Sequence, residues 1–321
     1  MATTKGTLLV TGAAGFVGGH AVPLLREAGY QVVSVVRKES RTSPSSAGRP
    51  SDRYSCDLTV SSEVRRMVRE LRPNAVLHLA GRNHAGDSWA DPAGYLESNL
   101  MATVYLLEAL RQESPDTRII VAGSMLSVPL GERPQPPHPY SLSKSLQTLI
   151  TQSWAHLYRS DALVVRPSNL VGPGPSGGIC TRLGAWIADR EQGADTSFRL
   201  ASLAEPRDYL DVRDAAAAIR ILFEKGKPGH VYPVASGVYR SLGEVLNAFQ
   251  AQSTEAFAVE TPQELVGTGS SAIPADTPVA ALHARALRVF GWQPQISFAQ
   301  SVADILFEQR SGKGVRVWEI S

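Results

Sequence analysis

Up to about residue 168, apolar and polar positions alternate between two periods. Short β-rich runs, GTLLVTG (6–12), YQVVSVV (30–36), AVLHLAG (75–81), RIIVAGS (118–124) and ALVVRPS (162–168), are separated by segments of helical periodicity at 16–28, 61–71, 95–112 and 141–158. Runs apolar on both faces, such as Ile119, Ile120 and Val121, suit strands covered by helices on each side. The alternation predicts βαβ units on a doubly wound parallel sheet, hence the α/β class. On the helix over 141–158, Leu142, Leu146, Leu149, Ile150 and Leu157 are expected to face inward, leaving Tyr140 and Lys144 off that stripe. The stretch RTSPSSAGRPSD (41–52) has no apolar content and reads as an exposed loop. Past residue 168, glycine and proline crowd NLVGPGPSGG and regular alternation stops. The expected division is 1–167, with a return around 212–235, and a smaller α/β domain over 168–321. Near the end, GWQPQISFAQSVADILFEQR (291–310) predicts an amphipathic helix with a Ser297/Gln300 capping box and Phe298, Val302, Ile305 and Leu306 on one face.

Composition narrows the class without naming a function. The 321 residues are 43% hydrophobic and 19% charged, with a net charge of +2. That balance gives no reason to propose nucleic acid or an acidic membrane as partner. Arg65, Arg66, Arg69 and Arg72 are spaced like one solvated helix face. No apolar run reaches the roughly 20 residues of a membrane span, and MATTKGTLLV is too polar and short before its first apolar run to read as a secretory signal. Cys56 and Cys180 form neither a metal spacing nor a disulfide framework, which fits reduced thiols in a cytoplasmic enzyme. His78, His84, His138 and His156 match no ligand set, so no metal is expected; His78 reads as a packed strand residue.

Chemistry begins at TGAAGFVG (11–18), between an apolar strand and a helix. Gly12, Gly15 and Gly18 let the chain turn tightly, approach a pyrophosphate and pack helix on strand, while N–H groups at Phe16 and Val17 open the helix for phosphate. The next strand ends in Arg37 and Lys38 before Glu39. A cation there suits the 2′-phosphate of NADP, whereas NAD sites use an acid; a solvated basic loop is the plainer alternative. Tyr140 and Lys144, four apart in HPYSLSK, share one helical face. A tyrosine has an ordinary pKa near 10, and a nearby ammonium lowers it toward proton-transfer duty.

The Gly-x-x-Gly-x-x-Gly spacing with Tyr-x-x-x-Lys resembles the extended short-chain dehydrogenase/reductase family of nucleotide-sugar epimerases, dehydratases and reductases. The likeness runs from about residue 6 to 310 and implies a Rossmann-like domain with a smaller substrate-binding domain. It implies Asp57 and Leu58 at the adenine, Leu79, Ala80 and Gly81 where the strand passes the cofactor, and Asn99 and Thr103 in the Asn-x-x-x-Thr helix, with Asn99 supporting the backbone. Lys144 would also bind the nicotinamide ribose, and Pro167 would lie at the nicotinamide. Ser124 is the expected third catalytic residue beside Tyr140 and Lys144; Ser127 needs an inserted residue in the alignment. Sugar 4,6-dehydratases of the family carry Thr-Asp-Glu where this chain has Ser124, Met125 and Leu126, and the 128–139 loop is short and proline-rich.

RPSNLVGPG (166–174) and RDYLDVRD (207–214) resemble the family's diphosphate segments and place Asn169, Arg207 and Arg182 on the substrate; His84 is placed at the substrate cleft. GDSW, RDYLDVRD and the Arg37 ending are most similar to GDP-4-keto-6-deoxymannose reductases. The implied activity is NADP-dependent reduction of a nucleotide-activated 4-keto-6-deoxyhexose. Alternatives are a 4-epimerase with bound NAD, a ketoreductase of a non-sugar natural product, and a non-catalytic cofactor-sensing binder. The resemblance also implies a homodimer through the helices at 99–112 and 141–158, although Leu106, Leu107 and Leu149 would serve a core equally well.

Overall fold

The computed structural model describes residues 5–37, 52–200, 203–204, 206–261 and 287–312. Lys38 and most of the 41–52 stretch lie outside them. Strands in chain order are β1 (Thr7–Thr11), β2 (Gln31–Val36), β3 (Arg53–Ser55), β4 (Ala75–His78), β5 (Arg118–Ala122), β6 (Ala162–Pro167), β7 (Asn169–Val171), β8 (Arg207–Asp211), β9 (Val231–Val234) and β10 (Tyr239–Arg240). The helices are α1 (Phe16–Glu27), α2 (Ser61–Leu71), α3 (Pro92–Leu96), α4 (Ala102–Glu113), α5 (Pro139–Tyr158), α6 (Ile179–Arg190), α7 (Val212–Lys225), α8 (Leu242–Gln250) and α9 (Phe298–Arg310). Two compact units result: Met1–Pro167 with Ala216–Pro233, and Ser168–Ala215 with Val234–Ser321.

A seven-stranded sheet runs in the order β3-β2-β1-β4-β5-β6-β9. The pairings from β3 through β6 are parallel. Winding reverses between β1 and β4, and the carboxyl ends of strands at such a switch point are where α/β sheets bind ligands. Leu8, Leu9, Val10, Val76, Leu77, Ile119, Ile120 and Val121 are all buried, because helices cover both faces. The short edge strand β3 escapes sequence reading: RYS offers three residues and no apolar alternation.

Two expectations about helices change. The predicted helix over 95–112 is three pieces: α3, a π-helical turn Glu97–Met101, and α4. Asn99 sits in the π turn, fully buried. A π turn inserts one residue and rotates the helix face, a feature that recurs at functional sites.

The second change is larger. The inward face of α5 is polar: Ser141, Ser143, Lys144, Ser145, Gln147 and Thr151 are buried with Tyr140, whereas Leu149 is 50% and Leu157 64% exposed. Hydrogen bonding explains the inversion. Ser141 Oγ donates to Leu126 O (2.6 Å), and Ser145 Oγ accepts from Val128 N (2.8 Å), so serines on α5 satisfy the backbone of the loop after β5. Ile150, Trp154 and Ala155 are partly buried against the hydrophobic core.

The second unit holds a three-stranded sheet, β10-β8-β7, with α6, α8 and α9. Leu183, Trp186, Ile187, Phe249, Val302, Ile305 and Leu306 form its core. Gly184 lets α6 and α9 meet closely, since a Cβ there would lie 2.6 Å from Ile305 Cγ2. Ser297 caps α9 by accepting from Gln300 N at 3.2 Å, but the reciprocal half of the predicted box is absent: Gln300 Nε2 donates to Asp304 instead. The complete capping box is at Ser241 and Glu244, where α8 starts. Replacing Ser241 by alanine removes the bonds made by its Oγ and leaves the one from its backbone N to Glu244 Oε2, and is expected to cost about 1 kcal/mol of stability, read as a lower urea midpoint at unchanged m-value.

Candidate active site

The loop after β1 is built to bring backbone close to a ligand. Gly12 has φ +71°, and a Cβ on it would lie 2.9 Å from Ala80 N at the end of β4. A Cβ on Gly18 would lie 2.4 Å from Gly12 O, so α1 can pack onto the loop only with glycine there. No side chain caps α1, whose N-cap is the exposed Gly15. An uncapped first turn with Phe16 and Val17 half-buried, lacking any acid, leaves N–H groups and a positive dipole end for an anion. These residues fit a dinucleotide pyrophosphate.

Farther out, Arg37 follows β2 and is exposed. Asp57 is half-buried, its Oδ1 accepting from Thr59 N (2.9 Å) and Thr59 Oγ1 (2.7 Å), while Leu58 packs partly against the hydrophobic core. Leu79 and Ala80 continue β4 half-buried, and Leu79 N donates to Thr11 O. A Cβ on Gly81 would collide with Asn99 Oδ1 at 2.5 Å. Asn99 instead clamps the backbone next door, accepting from Arg82 N (2.8 Å) and donating to Arg82 O (2.9 Å) and Ser143 Oγ (2.9 Å).

At the start of α5, Tyr140 is buried, and Ser124 is the side chain that favours its ionised form. Of the two serines in this loop, Ser124 reaches Tyr140; Ser127 donates its hydroxyl to Ser124 O at 2.6 Å. Burial pushes the Tyr140 phenol above its ordinary value, opposed by the Ser124 bond and reinforced by Tyr95. This corrects the expectation that Lys144 draws the phenol down. The Lys144 ammonium, 5% exposed, donates to Ala122 O and to Gln147 Oε1, each at 2.9 Å. Burial alone lowers the Lys144 ammonium to about 8. Pro167, at the end of β6, accepts from Met125 N and so ties β6 to the Ser124 loop.

Four residues assigned by resemblance sit differently from a simple pocket lining. His84 is exposed, with Nδ1 2.9 Å from Asp87 Oδ1, and only its carbonyl reaches inward, accepting from the Tyr95 hydroxyl at 2.5 Å. Arg182 on α6 is exposed and lies over the Phe198 ring at 5.7 Å. Arg207 opens β8 at the surface, while Asn169 on the adjacent β7 donates to Asp208 O (2.9 Å). The acids of RDYLDVRD are structural. Asp208 accepts from Ser236 N, Ser236 Oγ and Gly237 N; Asp211 holds Arg213 and Ser301; Asp214 accepts from Gln295 N and Ile296 N.

Comparison with known proteins meets this geometry along nearly the whole chain. The family model described as NAD dependent epimerase/dehydratase family matches residues 8–235. The chain belongs to that family. It is 30% identical to the GDP-6-deoxy-D-mannose reductase of Pseudomonas aeruginosa, over 95% of this chain and 97% of the relative. Its fold is similar to that of RMD from Pseudomonas aeruginosa complexed with NADPH (TM-score 0.75, 27% identity, covering 95% of this chain and 98% of that one). It is likewise similar to a UDP-glucose 4-epimerase from Thermus thermophilus in complex with NAD (TM-score 0.73, 26% identity, 95% and 99%). As in this family of NAD(P)-dependent oxidoreductases and epimerases, the sheet is Rossmann-like. Among the described residues no helix is long and apolar enough to cross a membrane, and no cluster could hold a metal ion.

Within this epimerase/dehydratase chain, several residues around the pair left no sequence signal. Tyr95 is buried with its ring edge-on to Tyr140 at 6.2 Å, under the Arg82 guanidinium at 4.3 Å. Arg82 is also paired with Asp91, the N-cap of α3. His138 caps α5, its Nδ1 accepting from Ser141 N (2.9 Å), and its ring stacks on Tyr140 at 5.8 Å. His78 is 1% exposed, bonded to Thr11 Oγ1 (2.8 Å) and Thr103 Oγ1 (3.0 Å), and burial lowers it to about 3. The folded chain therefore keeps His78 neutral where the unfolded chain, titrating at 6.5, takes a proton. Stability is retained above pH 6.5 and falls as pH drops from 6.5 toward 3, by about 1.4 kcal/mol per pH unit from this residue. In urea titrations over that window, His78→Gln is expected to lose this part of the slope.

Proposed function

We propose that the protein is an NADP-dependent reductase of a nucleotide-activated 4-keto-6-deoxyhexose, reducing C4 with Tyr140 as proton donor. The observation that carries the reading is buried Tyr140 on α5 with Ser124 acting on its phenol and Met125 and Leu126 following that serine. Two acids there would support loss of water; a thioether and an alkyl group cannot exchange protons with a sugar. The 30% identity to a GDP-6-deoxy-D-mannose reductase supports the same reading.

The glycine loop with Phe16 and Val17, together with Leu79, Ala80, Gly81, Asp57, Leu58 and Pro167, would hold the dinucleotide, and Arg37 its 2′-phosphate. When bound, that group supplies a hydride. Ser124 would hold the substrate ketone oxygen against Tyr140. Burial keeps the Tyr140 phenol protonated at neutral pH, which suits an acid that protonates a developing alkoxide. Lys144 would offer its ammonium to the ribose. Asn169, Arg207 and Arg182 would take the substrate diphosphate, Arg207 through its planar guanidinium, with His84 in the adjoining loop. Both cysteines are buried, which fits a cytoplasmic protein. The outward leucines of α5, with Tyr158 at 47% exposure, support a homodimer through that helix; Leu106 and Leu107 are buried core and take no part.

Mixed with NADPH and GDP-, dTDP- or UDP-linked 4-keto-6-deoxyhexoses, the enzyme is expected to consume nicotinamide absorbance in proportion to product. Interconversion of C4 epimers with no net NADPH loss would instead identify a 4-epimerase. Tyr140→Phe should reduce turnover roughly 10²–10⁴-fold while leaving the NADPH Kd unchanged; wild-type turnover would remove Tyr140 from the mechanism. Leu149→Glu combined with Leu157→Glu should give monomers in sedimentation velocity.

A further inference from the structure

A buried ammonium needs acceptors whose dipoles cannot turn away, and the polar atoms around Lys144 meet that need through a relay. Thr103 Oγ1 lies 2.7 Å from Asn99 O, 2.8 Å from Gln147 Nε2 and 3.0 Å from His78 Nε2. A hydroxyl has one hydrogen and two acceptor sites. A carbonyl can only accept, so the Thr103 hydrogen goes to Asn99 O. Both remaining partners must then donate: Gln147 presents its NH₂, and His78 carries its proton on Nε2. His78 Nδ1 is left as the acceptor for the Thr11 hydroxyl (2.8 Å), and Thr11 Oγ1 accepts from Ala80 N (3.1 Å). Every bond in the chain has one donor and one acceptor. With its NH₂ committed to Thr103, Gln147 turns its carbonyl oxygen to Lys144 Nζ at 2.9 Å. The other protein acceptor for that ammonium is Ala122 O, which leaves one of its three hydrogens for a ligand.

We propose that Gln147 is the positioning residue of Lys144, its amide locked toward the ammonium by a hydrogen-bond relay running from Thr11 beside the glycine loop through His78 and Thr103. This rests on the reading of Lys144 as part of the reductase site, but the relay itself is a property of the folded chain. The ionisable groups facing Lys144 are few. Its own helix contributes Tyr140, α3 brings Tyr95 onto that ring, β4 brings His78, on which the ammonium acts, and Glu97 of the π turn is exposed. No carboxylate lies among the causes that move it; burial alone does. Gln147 thus holds the charge with a neutral dipole, and a lysine lowered to about 8 stays responsive near neutral pH.

The test titrates Lys144 directly by NMR of ¹³Cε-labelled lysine in the protein alone, with the signal assigned through Lys144→Arg, and then compares pH profiles of turnover. Gln147→Glu keeps the acceptor and adds a negative charge, so Lys144 should titrate at least about one pH unit higher. Its turnover profile should extend to higher pH by the same interval, with neutral-pH turnover retained. Gln147→Met removes the acceptor: Lys144 should titrate lower, and turnover at neutral pH should fall about tenfold. Thr103→Val never touches the lysine, yet frees the Gln147 amide and should move Lys144 in the Met direction. Thermal melts confirm folding, and Gln147→Glu carries the test if Gln147→Met does not fold. An unchanged Lys144 titration in Gln147→Glu overturns the positioning role, and an unchanged one in Thr103→Val overturns the relay. Shifted NMR titrations without turnover on any nucleotide ketosugar would uphold the relay and reject the reductase reading.

Discussion

A charged lysine out of water is the constraint around which the first unit is arranged. Lowering the Lys144 ammonium to about 8 corresponds to a cost of about 3 kcal/mol for its charged form. That cost is contained because fixed acceptors replace water: the carbonyl at the end of β5 and the Gln147 amide. A fixed acceptor demands a fixed neighbour in turn, so Thr103, His78 and Thr11 become buried polar groups with every hydrogen assigned. A partly satisfied network of this kind would be worse than an apolar core. The consequence reaches the backbone, since the same threonine that ends β1 supports Ala80 at the end of β4.

The polar inner face of α5 has the same origin. A helix that must present Tyr140 and Lys144 beside the loop after β5 also meets that loop's unpaired carbonyls and amides. Serine is short enough to bond them without moving the helix away, and Ser141 and Ser145 do so. Leucines on that face would leave Leu126 O and Val128 N unsatisfied, which costs more than the apolar burial returns. Leu149 and Leu157 are displaced to the outer face.

That inversion marks where sequence reading succeeds and fails here. Strands such as RIIVA and AVLH are legible because burial on both faces leaves a continuous apolar run. The glycine loop is legible because Gly12 and Gly18 answer steric demands that no other residue meets. The face of α5 is not, because hydrophobic periodicity assumes that the buried side is the apolar side. Tyr140 could be named from its spacing to Lys144 and Ser124 from the family resemblance, whereas Gln147 and Tyr95 lie beside the pair only in three dimensions and have no spacing of their own. The π turn at Asn99 is invisible for a related reason: its residues have ordinary helical character, and only the register of the hydrogen bonds changes.

The RDYLDVRD block divides labour residue by residue. Asp208, Asp211 and Asp214 each tie β8 or the start of α7 to other parts of the second unit, while Arg207 stands at the surface end of the strand. Each acid thus helps to hold the strand or the helix after it in place. A substitution at any of the three acids would remove several of these ties at once, because each carboxylate accepts from more than one donor. Drift in this short motif is therefore costly wherever it touches an aspartate.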